Sequence, residues 1–470
     1  MTYRYCRALR PVVSNVETKS CLEFDDVIEA PFEHIRYMES APTCGFNPLH
    51  ACANLPAKVA PIGGPWKNIM PGPLDGYRVI DLTSMISGPM ATMILADQGA
   101  DVIKVENPLD GGDYVRKGAN RRGDFSASFL NNNRNKRSIA LNLKDPRGLE
   151  LLHKLIAGAD VFVQNFRPGV AERIGLGEDA LRKIAPTIVY VSISGFGEVG
   201  PFSKKPVYDP LVQAMSGLAT VQAGSDDERP RLVRTILPDK MTAITASQAI
   251  TAALLARERT GEGQHVRLSM LSSVIFFLWG SDMGSQTFVG NELPQQAAAS
   301  FFDLVYASAD GYLTVAVMSD KEWQGLTQAL NKPEWLDDER FKTPALRDRN
   351  LNDRIAVTQE VLLSEPAAYW LERLEQAGVP CAPVLTRNQM IEHPQVAANG
   401  VIVENEHPEV GPLRQARNPA EFSRTPSEMR FGAPRLGGNT VEILSEIGVS
   451  ENEIASLEAE SVLLTGIPRR

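Results

Sequence analysis

The chain lacks any apolar run near the ~18 residues that a membrane span needs; the nearest, 274–279, is far too short. Excess positive charge is missing as well. A net charge of −9 makes nucleic acid and anionic membranes unexpected partners. Cysteine is scarce, five in 470 residues, and four of these (Cys6, Cys21, Cys44 and Cys52) fall in the first 52. The main body therefore has no disulfide framework, which points to a reducing cytoplasmic location. No C-x-x-C pair marks a zinc site, and no metal is expected. There is no G-x-S-x-G elbow, no Walker A loop and no H-E-x-x-H. Histidines are few and scattered: His34, His50, His153, His265, His393 and His407. His153 in helical sequence and His265 in a strand-like run read as satisfied structural residues. Chemistry through a carboxylate nucleophile fits better, since aspartate is ionised at pH 7 without tuning.

At 470 residues the chain exceeds one ordinary core, so two domains are expected. A hydrophobic content of 43% with 22% charged residues is that of a globular protein. Residues 1–72 are rich in Pro and Cys, have no sustained periodicity, and read as an extension to which the sequence assigns no role.

From Pro73 onward the pattern becomes regular. Residues 78–83, 101–106, 138–143, 160–164 and 187–194 read as strands, and 88–98 as a helix. Asp145-Pro146 caps a helix with the stripe Leu149, Leu152, Leu155 and Ile156, and 170–183 is again helical. Short strands alternating with helices predict a doubly wound, parallel α/β sheet, which binds ligands at the carboxyl ends of its strands.

Gly195-Phe-Gly-Glu-Val-Gly200 matches G-x-G-x-x-G and follows a strand. A dinucleotide site needs a helix to open there. Pro201 and Pro206, with no apolar period between them, cannot supply one. NAD binding is rejected, and the glycines are expected to form a flexible loop whose backbone approaches a ligand closely.

Asp239, after Pro238, opens the helical stretch 240–257. A carboxylate there faces unpaired N–H groups and the positive dipole end, so an ordinary N-cap would explain it alone. The surroundings supply another role. In order along the chain come Pro73-Leu-Asp-Gly76, Ser87-Gly-Pro89, Asn135-Lys-Arg-Ser138, Asn165-Phe-Arg-Pro-Gly169 and Ser194-Gly-Phe-Gly197. Then follow Tyr208-Asp-Pro-Leu-Val-Gln-Ala-Met-Ser-Gly217, Thr260-Gly-Glu-Gly-Gln264, Gly378-Val-Pro-Cys-Ala-Pro383 and Pro434-Arg-Leu-Gly437. Each is weak alone; as an ordered set they resemble the class III (CaiB/BaiF-type) CoA-transferases, the group of formyl-CoA, carnitine and bile-acid CoA-transferases.

That resemblance, running from Pro73 to the C-terminus, implies an enzyme that moves CoA from an acyl-CoA thioester to a carboxylic acid. Asp239 would be the nucleophile, passing through aspartyl–acyl anhydride and aspartyl-CoA thioester intermediates. Water must be excluded, or the anhydride hydrolyses. CoA would be contacted by Ile86 and Ser87, by Leu141, Asn142, Leu143 and Lys144, by Asn165, Phe166 and Arg167, by Arg173, and by Tyr208 and Asp209. Arg167 and Arg173 suit the CoA phosphates, because guanidinium forks match phosphate oxygens. No permanently bound cofactor is implied; the CoA thioester is substrate. The implied architecture is a Rossmann-like large domain with a smaller α+β domain, in an interlocked homodimer. Its parts would be an extension (1–72), the first part of the large domain (73–289), the small domain (290–385) and a C-terminal segment completing the large domain (386–470). Residues 308–316 would form a hairpin of the small sheet, and 357–374 a helix leading back.

Departures from the family pattern bear on specificity. Ile86-Ser87 stands where formyl-CoA transferases have Gln-Ala, which implies a less polar acyl pocket. Asn107 replaces a basic CoA contact, and Leu436-Gly-Gly-Asn-Thr440 has Asn439 where a histidine is usual. The tetraglycine loop is absent near 291–300, which carries Gln295-Gln-Ala-Ala-Ala, so oxalate is not expected as acceptor. An α-methylacyl-CoA racemase of the same fold would need a His-Asp dipeptide, and this chain has Tyr208-Asp209 there. A non-catalytic acyl-CoA-binding protein would not need the intact Asp239.

Overall fold

Strongly β-branched runs that are apolar on both faces belong in a sheet covered on both sides, and the sequence supplies several. A computed structural model describes residues 72–290 and 304–466, all within one unit, Val59–Arg470. The extension read as 1–72 and the segment 291–300 therefore lie outside the described residues, Gly72 excepted. In chain order come β1 (Arg78–Leu82), α1 (Ser87–Asp97), β2 (Asp101–Glu106), β3 (Lys136–Leu141), α2 (Pro146–Ala157), β4 (Val161–Gln164) and β5 (Val189–Ser194). After them lie α3 (Asp209–Met215), α4 (Leu237–Thr260), β6 (His265–Ser269) and α5 (Met270–Trp279). Beyond 303 come β7 (Val305–Ala307), β8 (Tyr312–Val315), β9 (Cys381–Pro383), β10 (Ile402–His407) and β11 (Gly411–Ala416). The last elements are α6 (Thr440–Glu446), α7 (Glu451–Ala459) and β12 (Leu463–Leu464).

The main sheet runs β12-β3-β2-β1-β4-β5-β6. All pairs are parallel except the edge, where Leu463 pairs antiparallel with Leu141. β1 pairs on one side with β2 and on the other with β4. The winding direction thus reverses at β1, and the crevice between the carboxyl ends of β1 and β4 is the topological switch point. Alternation along β1 divides the core: Ile80 and Leu82 pack with α2, α6 and α7, while Val79 packs with α1 and α4. β7, β8 and β9 form a separate antiparallel sheet with β8 in the middle, built on a core that includes Trp323, Phe341, Trp370 and Leu374.

Several boundaries depart from expectation for identifiable reasons. β3 begins at Lys136, two residues before the predicted start, because Lys136 and Arg137 pair with Val102 and Ile103 of β2 and both are buried. The helical stretch 170–183 is two short helices, Val170–Arg173 and Glu178–Ile184, separated at Gly175 with φ +79°. The helix predicted over 357–374 is also two, Leu351–Leu362 and Ala367–Gln376; Pro366 sets the N-cap of the second and cannot continue the first. The hairpin predicted over 308–316 forms, but starts earlier: its first strand, β7, lies before that range, with Tyr312 opposite Ala307.

Candidate active site

α4 starts at Leu237, not at Lys240, with Pro238 accommodated in the first turn, where its missing N–H costs nothing. Asp239 is therefore inside the helix and is not its N-cap, which is Ile236 without any side-chain cap. The first-turn N–H of Asp239 is instead taken by another carboxylate, Asp209 Oδ2, at 3.4 Å. Asp209 sits at the start of α3, buried to 4% exposure. Its Oδ1 accepts from Gln213 Nε2 at 2.6 Å. Gln213 Oε1 in turn accepts from Val233 N at 2.9 Å, tying α3 to the segment that leads into α4.

Burial and a neighbouring carboxylate both raise the cost of ionising Asp239. Burial pushes the Asp239 carboxyl up to about 6, and the Asp209 charge adds to the shift. The hydroxyl and backbone N–H of Ser87 pull the other way. Aspartate without tuning is thus not what this site contains, although at pH 7 the charged form still predominates about tenfold. Asp209 is also shifted up by burial, opposed by Gln213, the Asp239 N–H and Lys240.

Ser87 is the first residue of α1, buried to 4% exposure, at the end of the turn that leaves β1. Ile86 is the α1 N-cap and packs, with Met85, against a cluster including Val115, Phe125 and Phe129. Ser84 N donates to Asn165 Oδ1 (3.0 Å), and Asn165 Nδ2 donates to Ser84 O (2.8 Å). Asn165 thereby commits its amide to clamping the β1 turn, while its neighbours open onto a pocket. That pocket, about 210 Å³ at the carboxyl ends of β4 and β5, is lined by Phe166, Arg167, Gly169, Glu172, Ser192 and Glu198 among others. Arg167 and Arg173 are exposed, and neither has an ion-pair partner among the described residues. Tyr208 is exposed beside Asp209.

The turn 142–144 stands apart, at the end of β3, two strands from β1. Leu141 is fully buried in the core, so its side chain faces away from solvent; Asn142 Oδ1 accepts from Lys144 N, and Lys144 is exposed. The structure thus brings together Ser87, Asp209 and Asp239. Asn165, Phe166 and Arg167 adjoin them through Ser84, and 142–144 lie farther along the sheet edge.

The glycine motif does not open a helix: Gly197 and Gly200 take φ of +101° and +89°, and turns follow. Its Glu198 lines the pocket and accepts from Ser192 Oγ at 2.7 Å. His265 lies between Ser192 Oγ (2.8 Å) and Glu178 (2.6 Å), a sequence of contacts reminiscent of a Ser-His-acid triad. The Ser192 proton, however, is directed to Glu198, so His265 is a partnered structural residue, as is His153 against Gly175 O. Asn107 caps its own turn through Leu109 N. Asn439 clamps β3 by accepting from Ser138 N and donating its own N–H to Ser138 O.

Sequence reasoning missed Gln213, Lys104 and Asp113. Lys104 and Lys136 are fully buried on the α1 face of the sheet, within 3.0 Å of Asp113 and Asp81 respectively. Local sequence carried little signal for this: Lys104 sits between Ile103 and Val105, but Asp101 and Glu106 flank the same strand, and Lys136 and Arg137 lie just before the stretch read as β3.

The model of a family described as CoA-transferase family III matches residues 74–440. The chain is 35% identical to human succinyl-CoA:glutarate CoA-transferase over 80% of its length and 86% of that protein's. It is 36% identical to acetyl-CoA:oxalate CoA-transferase of Acetobacter aceti, over 81% of this chain and 97% of the other. A solved CaiB/BaiF family protein of Brucella suis superposes with TM-score 0.71 at 30% identity, covering 80% of this chain and all of that one.

Proposed function

This chain belongs to CoA-transferase family III, and from that premise we propose that it transfers CoA between acids with Asp239 as its covalent nucleophile. The observation that carries the reading is the Asp239 carboxylate itself: part-buried, beside Asp209, turned toward Ser87 at the start of α1, and shifted to about 6. Desolvation raises the reactivity of its charged form without removing that form at neutral pH.

In the first step an Asp239 oxygen attacks the thioester carbonyl carbon of the donor. The C–S bond breaks, giving a mixed anhydride and CoA thiolate. The thiolate then attacks the aspartyl carbonyl of the anhydride, the C–O bond breaks, and the donor acid leaves as carboxylate. The acceptor carboxylate attacks the resulting aspartyl-CoA thioester, expelling thiolate. That thiolate attacks the acceptor's acyl carbon, releasing new acyl-CoA and free Asp239. No net proton is consumed, so no histidine is required.

Phe166, Arg167 and the pocket they line suit part of the CoA moiety, with Arg173, Tyr208, Asp209, Ile86, Ser87, Asn165 and residues 141–144 as further contacts. The names of the relatives favour a short acyl-CoA donor and a dicarboxylic acid acceptor. An interlocked homodimer agrees with the apolar surface of α5, where Phe276 is 81% and Trp279 50% exposed. The division at 72, 289 and 385 is part of the same reading. No described helix is long and apolar enough to cross a membrane; a cytoplasmic location rests on the sparse cysteine of the main body.

Hydroxylamine added during turnover tests the nucleophile: it should convert Asp239 to a hydroxamate, found by peptide mass. An Asp239→Asn variant that keeps near-normal exchange would overturn the assignment.

A further inference from the structure

Between β1 and α1 the chain makes a turn too tight for ordinary residues. A Cβ on Gly88 would lie 2.3 Å from Thr83 Cβ, and Met85 has φ +70°. A methionine in the left-handed region is strained and persists only where its surroundings hold it. Those surroundings come from separate elements. Asp81 Oδ1 accepts from Thr83 N, and Lys104 Nζ donates to Thr83 O at 2.9 Å. Asn165 clasps Ser84 from both sides. Asp113 Oδ1 accepts from Met85 N at 3.1 Å. Asp113 and Lys104 are themselves a fully buried pair, 3.0 Å apart with side chains 1% and 0% exposed.

The output of this arrangement is two residues on, where the hydroxyl and backbone N–H of Ser87 face the Asp239 carboxyl. Buried ion pairs are poor at stabilising folds, but they can fix one geometry among several. Here the geometry fixed is that of a strained turn.

We propose that Asp113, supported by Lys104, is a positioning residue for the transfer reaction: it holds Met85 in the left-handed conformation that keeps Ser87 turned toward the Asp239 carboxylate. This rests on Asp239 being the nucleophile. Without Asp113 the turn relaxes, Ser87 withdraws, and the Asp239 carboxylate loses the groups that favour its charged form. Glycine adopts positive φ without strain, so Met85→Gly should remove the need for the Asp113 acceptor.

The test uses full-length protein with succinyl-CoA as donor and glutarate as acceptor. Asp113→Ala should lower kcat per folded molecule about tenfold or more, with KM for succinyl-CoA changed by less than about threefold. The acid limb of its rate profile should move up by about half a pH unit or more. Adding Met85→Gly should recover about fivefold of that loss. A lowered melting temperature with unchanged kcat and an unmoved acid limb would reduce Asp113 to a structural residue, and so would the absence of recovery. If Asp113→Ala does not fold, Met85→Ile against Met85→Gly decides: Ile tolerates positive φ worst and should be about fivefold or more slower. Equal rates overturn the proposal. Exchange retained by Asp239→Asn removes the nucleophile reading and this inference with it. A mapped Asp239 hydroxamate alongside a normal Asp113→Ala removes only this one.

Discussion

Replacing Asp239 by Asn should abolish transfer and, at the same time, stabilise the protein. Asparagine is nearly isosteric but a poor nucleophile, and loss of a covalent nucleophile lowers rates by several orders of magnitude. The stability effect follows from burial. The Asp239 carboxyl is raised to about 6 in the fold, against about 3.9 for an unfolded aspartate. The full difference is about 3 kcal/mol, and because Asp239 is only partly buried about 1–3 kcal/mol is expected. The sign is set by which state binds more protons. Between pH ~4 and ~6 the folded state retains a proton that the unfolded state has lost, so stability falls as pH rises through this window. Above ~6 the penalty is complete, and below ~4 it vanishes. The Asp239→Asn variant carries no such penalty. Opposing this, loss of a negative charge in the first turn of α4 costs about 0.3–1 kcal/mol of dipole interaction, the smaller quantity. Thermal melts of both proteins from pH 4 to 8 should therefore diverge with rising pH, the variant ahead by a few degrees at pH 8. A variant less stable than wild type at pH 8 would mean that Asp239 serves the helix end more than it suffers from burial and from Asp209, and the desolvated-nucleophile picture would fail.

The same shift predicts that kcat/KM falls about tenfold per pH unit below pH ~6 as Asp239 is protonated; Asp209→Asn should move that limb to lower pH by removing the neighbouring charge. Arg167→Ala should weaken CoA-ester binding by about 1.5–3 kcal/mol, read as a raised KM, if its guanidinium bonds a phosphate; unchanged affinity would make it an ordinary surface arginine. Lys136→Met should destabilise by about 3–5 kcal/mol in denaturant melts, because it leaves Asp81 buried beside one cation instead of two. Sedimentation of the wild type should show a dimer at micromolar concentration, and Phe276→Asp with Trp279→Asp should give monomers; a stable wild-type monomer would refute the dimer.

Local sequence determined the strands and most helices. β2 lies where its short β-branched run puts it, and Asp145-Pro146 caps α2 as its chemistry requires. Position along the chain also marked Asp239, since Pro238 and the helical run that follows fix it in a first turn. Only the tertiary structure decided what that carboxylate meets. Asp209 lies 30 residues away in sequence, and Ser87, farther still, arrives from the opposite side of the switch point. Neither distance leaves a periodic trace. The early start of β3 and the burial of Lys104, Lys136 and Asp113 were illegible for a related reason. A charged residue reads locally as solvent-facing, and only closure of the parallel ladders brings opposite charges close enough to be desolvated together. The strain at Met85 belongs with these, because a left-handed methionine has no sequence signal and exists only where surrounding elements impose it.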